Sequence, residues 1–198
     1  MIKKYTPLIA HPFKPDTSFA RPRQILPERV TLDDHSSSVM TDLKIVSVVN
    51  VRANASMEKA NAKMIRHGVR LLLVLDNADK VVGLITATDI LGEKPIRFLQ
   101  NMGGTHADIL VRDIMTPQRE LEVLEMQDVM NARVGHIVAT LKQARRQHAI
   151  VVEENGNGSR VIRGLFSATQ IARQLGVQSQ ATDIMQTFAK IEALLDTK

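Results

Sequence analysis

An aspartate three residues after a threonine, where a strand meets a helix, is the feature of this sequence best suited to chemistry. The pair is Thr86 and Asp89, in the octapeptide Gly-Leu-Ile-Thr-Ala-Thr-Asp-Ile at 83–90. The hydroxyl of Thr86 and the free amides of the first helical turn can hold a phosphate. The Asp89 carboxylate points to the same side and can accept both hydroxyls of a ribose, as the acidic residue of dinucleotide-binding folds does.

The same residues also suit a purely structural role. Thr86 or Thr88 can cap the helix, and an aspartate in the first turn interacts favourably with the helix dipole. The spacing alone leaves both interpretations open.

The octapeptide occurs a second time with one chemically important difference. Residues 164–171, Gly-Leu-Phe-Ser-Ala-Thr-Gln-Ile, begin 81 residues later (164 minus 83). A duplication of this kind predicts two similar structural units. Gln170 stands where the first copy has Asp89, and its amide is neutral and lacks two equivalent acceptor oxygens.

Each octapeptide closes a β-α-β-β-α pattern. We place the first unit at 40–98, a linker at 99–110 and the second unit at 111–176. In the first unit, Ser56 is the expected cap of a helix that Gly68 ends, and apolar runs predict strands at 44–51, 69–75 and 81–86. In the second unit, Asn131 is the expected helix cap, strands are predicted at 121–126, 149–152 and 161–167, and a closing helix at 169–175.

Two further segments flank the units. Residues 1–38 hold five of the seven prolines, which favours an extended arm. Residues 181–198 carry apolar side chains at helical spacing and predict an amphipathic helix. We expect both segments to pack on the body of the protein or on a second subunit.

The composition excludes several function classes. The chain has 198 residues, 44% of them hydrophobic, and no cysteine, so disulfides, zinc–thiolate sites and thiol catalysis are absent, as suits a cytoplasmic protein. The start is basic with no apolar run behind it, and no stretch approaches the roughly 20 apolar residues of a membrane helix. We therefore expect no signal peptide, no membrane segment and a cytoplasmic location.

Charge and motifs argue against nucleic acid and catalysis. The net charge is +5 and the isoelectric point about 9.7, but the one tight basic group, Lys142, Arg145 and Arg146, has no aromatic neighbour for base stacking. A solvated helix face is the plain interpretation of this group, and attraction of a phosphorylated ligand is the better functional one. The six histidines lack metal-ligand spacing, and no nucleophile elbow or P-loop is present, so we expect no enzyme.

Two β-α-β-β-α units that each end in this octapeptide resemble a tandem pair of CBS domains, the Bateman module. The strings His-Gly-Val-Arg at 67–70 and Val-Arg-Asp-Ile-Met-Thr-Pro at 111–117 add to the likeness, which covers about 40–176. The resemblance implies a mixed fold of the α+β and α/β classes. Its two repeats would pack as a pseudo-twofold pair, with the N-terminal arm and the C-terminal helix added.

The resemblance also implies two clefts for adenosine ligands such as AMP, ADP, ATP or S-adenosylmethionine, bound as regulatory ligands and not as catalytic cofactors. The first cleft would comprise Thr86, Ala87, Thr88, Asp89, Thr116, Gln147 and His148, with Arg145 and Arg146 near the phosphates. The second would comprise Val69, Arg70, Ser167 and Gln170. Because Gln170 departs from the family pattern, we expect the second cleft to be weaker or empty.

The expected function is therefore that of a regulatory or sensory module that binds an adenosine-type small molecule. We expect a homodimer that acts on a regulated protein whose identity the sequence does not give. Two alternatives stay open at this stage. One is a structural or interaction module with vestigial clefts, and the other, less favoured, is a nucleic-acid-binding protein.

Overall fold

Two four-stranded sheets form the framework of the computed structural model, which describes residues 23–177 and 188–191. The strands are β1 (Thr41–Asp42), β2 (Asn50–Arg52), β3 (Leu71–Leu75), β4 (Val81–Thr86), β5 (Thr116–Pro117), β6 (Val123–Glu125), β7 (His148–Glu154) and β8 (Arg160–Ser167). The helices are α1 (Met57–His67), α2 (Ala87–Leu91), α3 (Lys94–Met102), α4 (Val111–Ile114), α5 (Met126–Asn131), α6 (Val134–Gln143) and α7 (Ala168–Gln174). Short 3-10 segments lie at Ser36–Val39, His106–Asp108 and Gln118–Glu120.

The two repeats exchange their edge strands. The sheet of repeat 1 has the order β2-β3-β4-β5, and that of repeat 2 has the order β1-β8-β7-β6. Strand β5, near the start of repeat 2, thus pairs with β4 of repeat 1, and β1, at the start of repeat 1, pairs with β8 of repeat 2. Each repeat completes the sheet of the other, and the expected fold class, a mixed fold of two packed β-α-β-β-α repeats, is confirmed.

The glycine that begins each octapeptide copy is required by this exchange. A Cβ atom at Gly83 would lie 2.5 Å from the carbonyl oxygen of Thr116 in β5. At Gly164 it would lie 2.6 Å from Met40 Sδ and 3.1 Å from the carbonyl oxygen of Thr41. A side chain at Gly83 is excluded because the backbone of β5 approaches too closely, whereas one at Gly164 would require Met40 and β1 to shift.

Three apolar clusters hold the fold together. One lies within each repeat, and the third joins the two sheets. The buried members of the third are Leu71, Leu73, Leu84, Ile150 and Val152. They come from β3, β4 and β7, and their burial stabilises the pair of repeats as one unit.

The described part of the N-terminal arm packs on repeat 2. The amide of Val30 donates to the carbonyl of Gln174 at 3.0 Å. The buried Gln174 side chain donates from Nε2 to the carbonyls of Pro27 at 2.7 Å and Ser38 at 3.0 Å. This segment is therefore anchored to its own chain, while residues 1–22 lie outside the described part.

Most of the helix predicted at 181–198 also lies outside the described residues. Residues 188–191 are helical. Phe188 and Ile191 are buried in the core of repeat 2. In the described ranges, no helix is both long enough and apolar enough to cross a bilayer.

Two local predictions were wrong. The strand predicted at 44–51 is reduced to Asn50–Arg52, because the carbonyl of Asp42 accepts the amides of Ile45 and Val46 and turns the chain. Asn131 ends α5 instead of capping the following helix, since its Nδ2 donates back to the carbonyl of Gln127 at 3.0 Å. The predictions for α1 are confirmed: Ser56 caps it, and Gly68 ends it in the left-handed conformation.

Candidate functional site

Cleft 1 is a cavity of about 290 Å³ to which both repeats contribute. Eight of the nine residues assigned to it from the sequence line it: Thr86, Thr88, Asp89, Thr116, Arg145, Arg146, Gln147 and His148. The other lining residues are Leu84, Leu121, Glu122 and Ile150. The exception among the expected residues is Ala87, which begins α2 and packs against the core of repeat 1.

Asp89 is held by a capping box. The amide and the hydroxyl of Thr86 donate to Asp89 Oδ2 at 2.8 and 2.7 Å, and the amide of Asp89 donates to Thr86 Oγ1 at 3.3 Å. The structural role left open by the sequence is thus realised, in a carboxylate that also lines the cleft. Since Oδ2 accepts two hydrogen bonds already, Oδ1 is the oxygen with capacity for a ligand hydroxyl.

Lys94 is a residue of this site that the sequence analysis missed. Its Nζ lies 2.7 Å from Asp89 Oδ1, 3.0 Å from the carbonyl oxygen of Ile114 and 3.4 Å from Thr116 Oγ1. The Asp89 side chain is 12% exposed, so this pair is partly shielded from water. Lys94 therefore links the carboxylate of repeat 1 to the first residues of repeat 2.

The backbone of Arg145, at the basic edge of cleft 1, adopts the left-handed conformation. Its φ of 51° is left-handed, as is the φ of 63° at Gly68, which follows the equivalent helix of repeat 1. A side chain in this conformation costs roughly 1 kcal/mol. Within the described part of the chain, the guanidinium of Arg145 makes no hydrogen bond and no ion pair. Arg145 also lines the cavity.

Arg146 is more constrained than its neighbour. Its Nη2 lies 3.3 Å from Glu122 Oε2 and 3.4 Å from the carbonyl oxygen of Glu120. Glu122 also lines the cleft. The lining of cleft 1 thus holds two acidic side chains, Asp89 and Glu122, and two arginines from repeat 2, while Lys94 of repeat 1 pairs with Asp89 beside the cavity.

His148 lies between the two clefts and lines both. Burial lowers its pKa to about 4, and the positive charge of Arg70 adds to this effect, whereas Asp89 opposes it. The imidazole is therefore neutral near pH 7. It gives the two clefts an uncharged side chain with one donor and one acceptor nitrogen, and no positive charge.

Cleft 2 is a larger cavity of about 690 Å³. All four residues assigned to it from the sequence, Val69, Arg70, Ser167 and Gln170, line it. Other polar lining residues were not foreseen, namely Arg29, Thr41, Thr169 and Arg173. Gln170 donates from Nε2 to Gln174 Oε1 at 3.3 Å, and Ser167 makes no capping hydrogen bond through its side chain, so repeat 2 lacks the capping box of repeat 1.

A second repeated string could have revealed Thr41. Val-Met-Thr-Asp at 39–42 is similar to Ile-Met-Thr-Pro at 114–117. In the sheets, Thr41 pairs with Leu165 and Thr116 pairs with Leu84, which are equivalent positions of the two octapeptides. Thr41 therefore contributes to cleft 2 as Thr116 does to cleft 1.

Residues 37–95, which cover most of the first repeat, match the model of the CBS domain family. The fold is similar to that of an uncharacterized conserved protein from Pyrococcus horikoshii, at 23% identity over 77% of this chain and 99% of that one, with a TM-score of 0.52. It is also similar to the CBS domain of a bacterial CNNM/CorC family Mg²⁺ transporter, at 18% identity over 76% and 80% of the two chains, with a TM-score of 0.50.

A further similar structure is that of CBSX2 from Arabidopsis thaliana in complex with AMP. The identity is 20% over 71% of this chain and 94% of that one, with a TM-score of 0.49. No curated protein matches this chain. The chain thus contains a CBS domain at 37–95, and its fold is that of a tandem CBS pair.

Proposed function

We propose that this protein is a regulatory module that binds an adenosine-containing ligand, AMP, ADP, ATP or S-adenosylmethionine, in cleft 1. The observation that carries the proposal is the meeting of Asp89 from repeat 1 with Arg145 and Arg146 from repeat 2 in one cavity. A carboxylate suits the hydroxyls of a ribose, and guanidinium groups suit a phosphate. The apolar side chains of Leu84 and Ile150 offer surface for a purine ring.

The location between repeats gives such a ligand a means of regulation. Thr86 and Asp89 belong to repeat 1, whereas Gln147 and His148 belong to repeat 2. A ligand held by both favours the arrangement of the repeats that fits it best. The signal would then pass to a regulated protein through a change in that arrangement.

A vestigial cleft is the second candidate, and one observation favours it. Both oxygens of Asp89 already have partners, Thr86 at Oδ2 and Lys94 at Oδ1. In that case the motif would only cap α2 and tie α3 to the next repeat. The protein would then be a structural or interaction module.

A thermal-shift series separates these candidates. Adenosine, AMP, ADP, ATP and S-adenosylmethionine would each be titrated against the full chain, with GTP as the matched control. Binding to the folded state alone stabilises it by about 2.7 kcal/mol at a ligand concentration 100 times Kd. We expect the Tm to rise with concentration for at least one adenosine compound. No rise with any of them contradicts the proposal.

The replacement Arg145→Gly is expected to separate stability from affinity. Glycine adopts the left-handed conformation without a Cβ penalty, so the free energy of unfolding should rise by up to about 1 kcal/mol. Loss of the guanidinium should weaken AMP binding roughly fivefold, or about 1 kcal/mol, as for an exposed ion pair. Urea unfolding and calorimetric titration measure the two effects.

Adenosine without phosphate is the control for this variant, and its affinity should not change. An unchanged affinity for AMP in Arg145→Gly would show that the residue does not contact the phosphate. A lowered stability would show that the left-handed backbone at 145 carries no strain.

We also propose that the protein is a cytoplasmic homodimer. Three large apolar side chains, Ile65, Leu91 and Ile96, are 74, 71 and 55% exposed on α1, α2 and α3. Such exposed apolar side chains on neighbouring helices are typical of an isologous interface. Light scattering should give twice the chain mass of 22.0 kDa, and a monomer at high protein concentration would count against the dimer.

A further inference from the structure

We infer that cleft 2 is a separate site for a small polyanion, a molecule that carries at least two phosphate groups, and not a second nucleoside site. This goes beyond the proposed function, which concerns cleft 1. Three arginines line cleft 2, Arg29, Arg70 and Arg173. Among the described residues that line it, none is aspartate or glutamate.

The three arginines come from different parts of the chain. Arg29 lies in the N-terminal segment, Arg70 immediately precedes β3, and Arg173 lies on α7. The fold therefore gathers three positive charges at one cavity. Like charges at one cavity repel one another, and a bound anion would offset that repulsion.

The guanidinium groups of these residues are available to a ligand. All three residues are exposed, and the described part of the chain gives none of them a side-chain hydrogen bond or an ion pair. Other arginines of this protein are paired: Arg163 contacts Asp42 and Glu153, and Arg52 contacts Asp79. A free guanidinium can donate two parallel hydrogen bonds to a phosphate.

The position of Arg29 is fixed from both sides. Val30 donates its amide to the carbonyl of Gln174 at 3.0 Å, and Gln174 donates its side chain to the carbonyl of Pro27 at 2.7 Å. Gly176, with a φ of 84°, has no side chain, and Arg29 Nη1 lies where a Cβ atom of residue 176 would be. Arg29 is thereby held against α7, the helix that carries Arg173.

The neutral lining of cleft 2 is consistent with an anion. Thr41, Ser167 and Thr169 provide hydroxyl donors, and Gln170 provides an amide at the position of Asp89 in cleft 1. The absence of a carboxylate there removes the group that would hold a ribose and repel a phosphate. The volume of about 690 Å³, against about 290 Å³ for cleft 1, leaves room for more than one phosphate group.

Calorimetric titration of the full chain with inorganic tripolyphosphate, at 150 mM salt to screen weak surface attraction, tests this inference. We expect Arg70→Gln and Arg173→Gln each to lower the affinity at least tenfold. Arg97→Gln changes the net charge equally but lines neither cleft, so it should leave the affinity within twofold. Adenosine affinity should stay unchanged in Arg173→Gln, which keeps this test separate from that of cleft 1.

Three results would overturn the inference. The first is an unchanged affinity for tripolyphosphate in both cleft 2 variants. The second is a tenfold loss in Arg145→Gln with none in Arg173→Gln, because the anion would then occupy cleft 1. The third is tight binding of single-stranded RNA without measurable binding of tripolyphosphate, which would indicate a nucleic-acid surface. Arg29→Gln provides a third variant should either of the first two fail to fold.

Discussion

Replacement of Asp89 by asparagine is expected to weaken the binding of AMP to this protein at least tenfold. A hydrogen bond from a ribose hydroxyl to a charged carboxylate contributes about 1.5–3 kcal/mol, and each 1.4 kcal/mol corresponds to a factor of ten in affinity. Asparagine keeps the shape of the side chain, and its amide oxygen takes the place of Oδ2, which accepts from the amide of Thr86 at 2.8 Å. Its Nδ2 group then replaces Oδ1 and cannot accept from a ribose hydroxyl. The substitution also removes the charge that Lys94 pairs with at 2.7 Å. Calorimetric titration of the full chain measures the loss.

The second repeat provides the matched control for this prediction. Gln170 stands at the position equivalent to Asp89 and lines the other cleft, so Gln170→Asn should change AMP affinity less than twofold. Equal losses in the two variants would contradict the difference between the clefts. Unchanged binding in Asp89→Asn would mean that Asp89 serves only in the capping box with Thr86.

The stability of the protein should depend on pH through His148. Its pKa in the folded protein is about 4, below its ordinary value of 6.5. Between these values the unfolded chain binds the proton more strongly than the folded chain does. The contribution is therefore fully present above pH 6.5 and is lost as the pH falls toward 4. At pH 5 the loss should be about 2 kcal/mol relative to pH 7.5.

The variant His148→Leu removes the titrating group. Leucine suits this position, because Leu71 occupies the equivalent one at the start of β3 in repeat 1. Urea unfolding of both proteins at pH 7.5 and pH 5.0 measures the effect, and the wild type should lose about 2 kcal/mol more than the variant. The charged residues that line the two clefts together with His148 are Arg29, Arg70, Asp89, Glu122, Arg145, Arg146 and Arg173. Equal losses in the wild type and the variant would show that His148 does not carry the dependence.

The sequence alone predicts the parts of the site that are encoded locally. Thr86 and Asp89 lie three residues apart, so their meeting at the start of α2 follows from helix geometry. Likewise, Ser56 and Gly68 act on their own helix. The duplication of the octapeptide implies a second strand-to-helix turn, which Ser167 and α7 form, but the capping box of Thr86 and Asp89 does not occur there.

Residues brought in by tertiary structure could not be predicted in this way. Lys94 reaches Asp89 because α2 ends at Gly92 and a new helix, α3, begins at Lys94. The spacing of residues along one helix does not predict such a contact. Thr41 reaches cleft 2 through the exchanged strand β1, although it stands beside an arm expected to be extended. Arg29 reaches the same cleft because Gln174 anchors the arm.

The two roles that spacing left open for Asp89 are compatible in the folded protein. The capping box uses Oδ2, while Oδ1 contacts Lys94 at the wall of cleft 1. A ribose would therefore meet one oxygen directly, and not both as the sequence predicts. Contact with the second oxygen would require the hydroxyl of Thr86 to turn away.

A crystal structure of the full chain soaked with AMP tests the central claim most directly. The account predicts electron density for one nucleotide in cleft 1, with a ribose hydroxyl at Asp89 Oδ1 and the phosphate beside Arg145 or Arg146. Density for the nucleoside in cleft 2, or an empty cleft 1 with Asp89 still bound to Lys94 at a saturating AMP concentration, would contradict it.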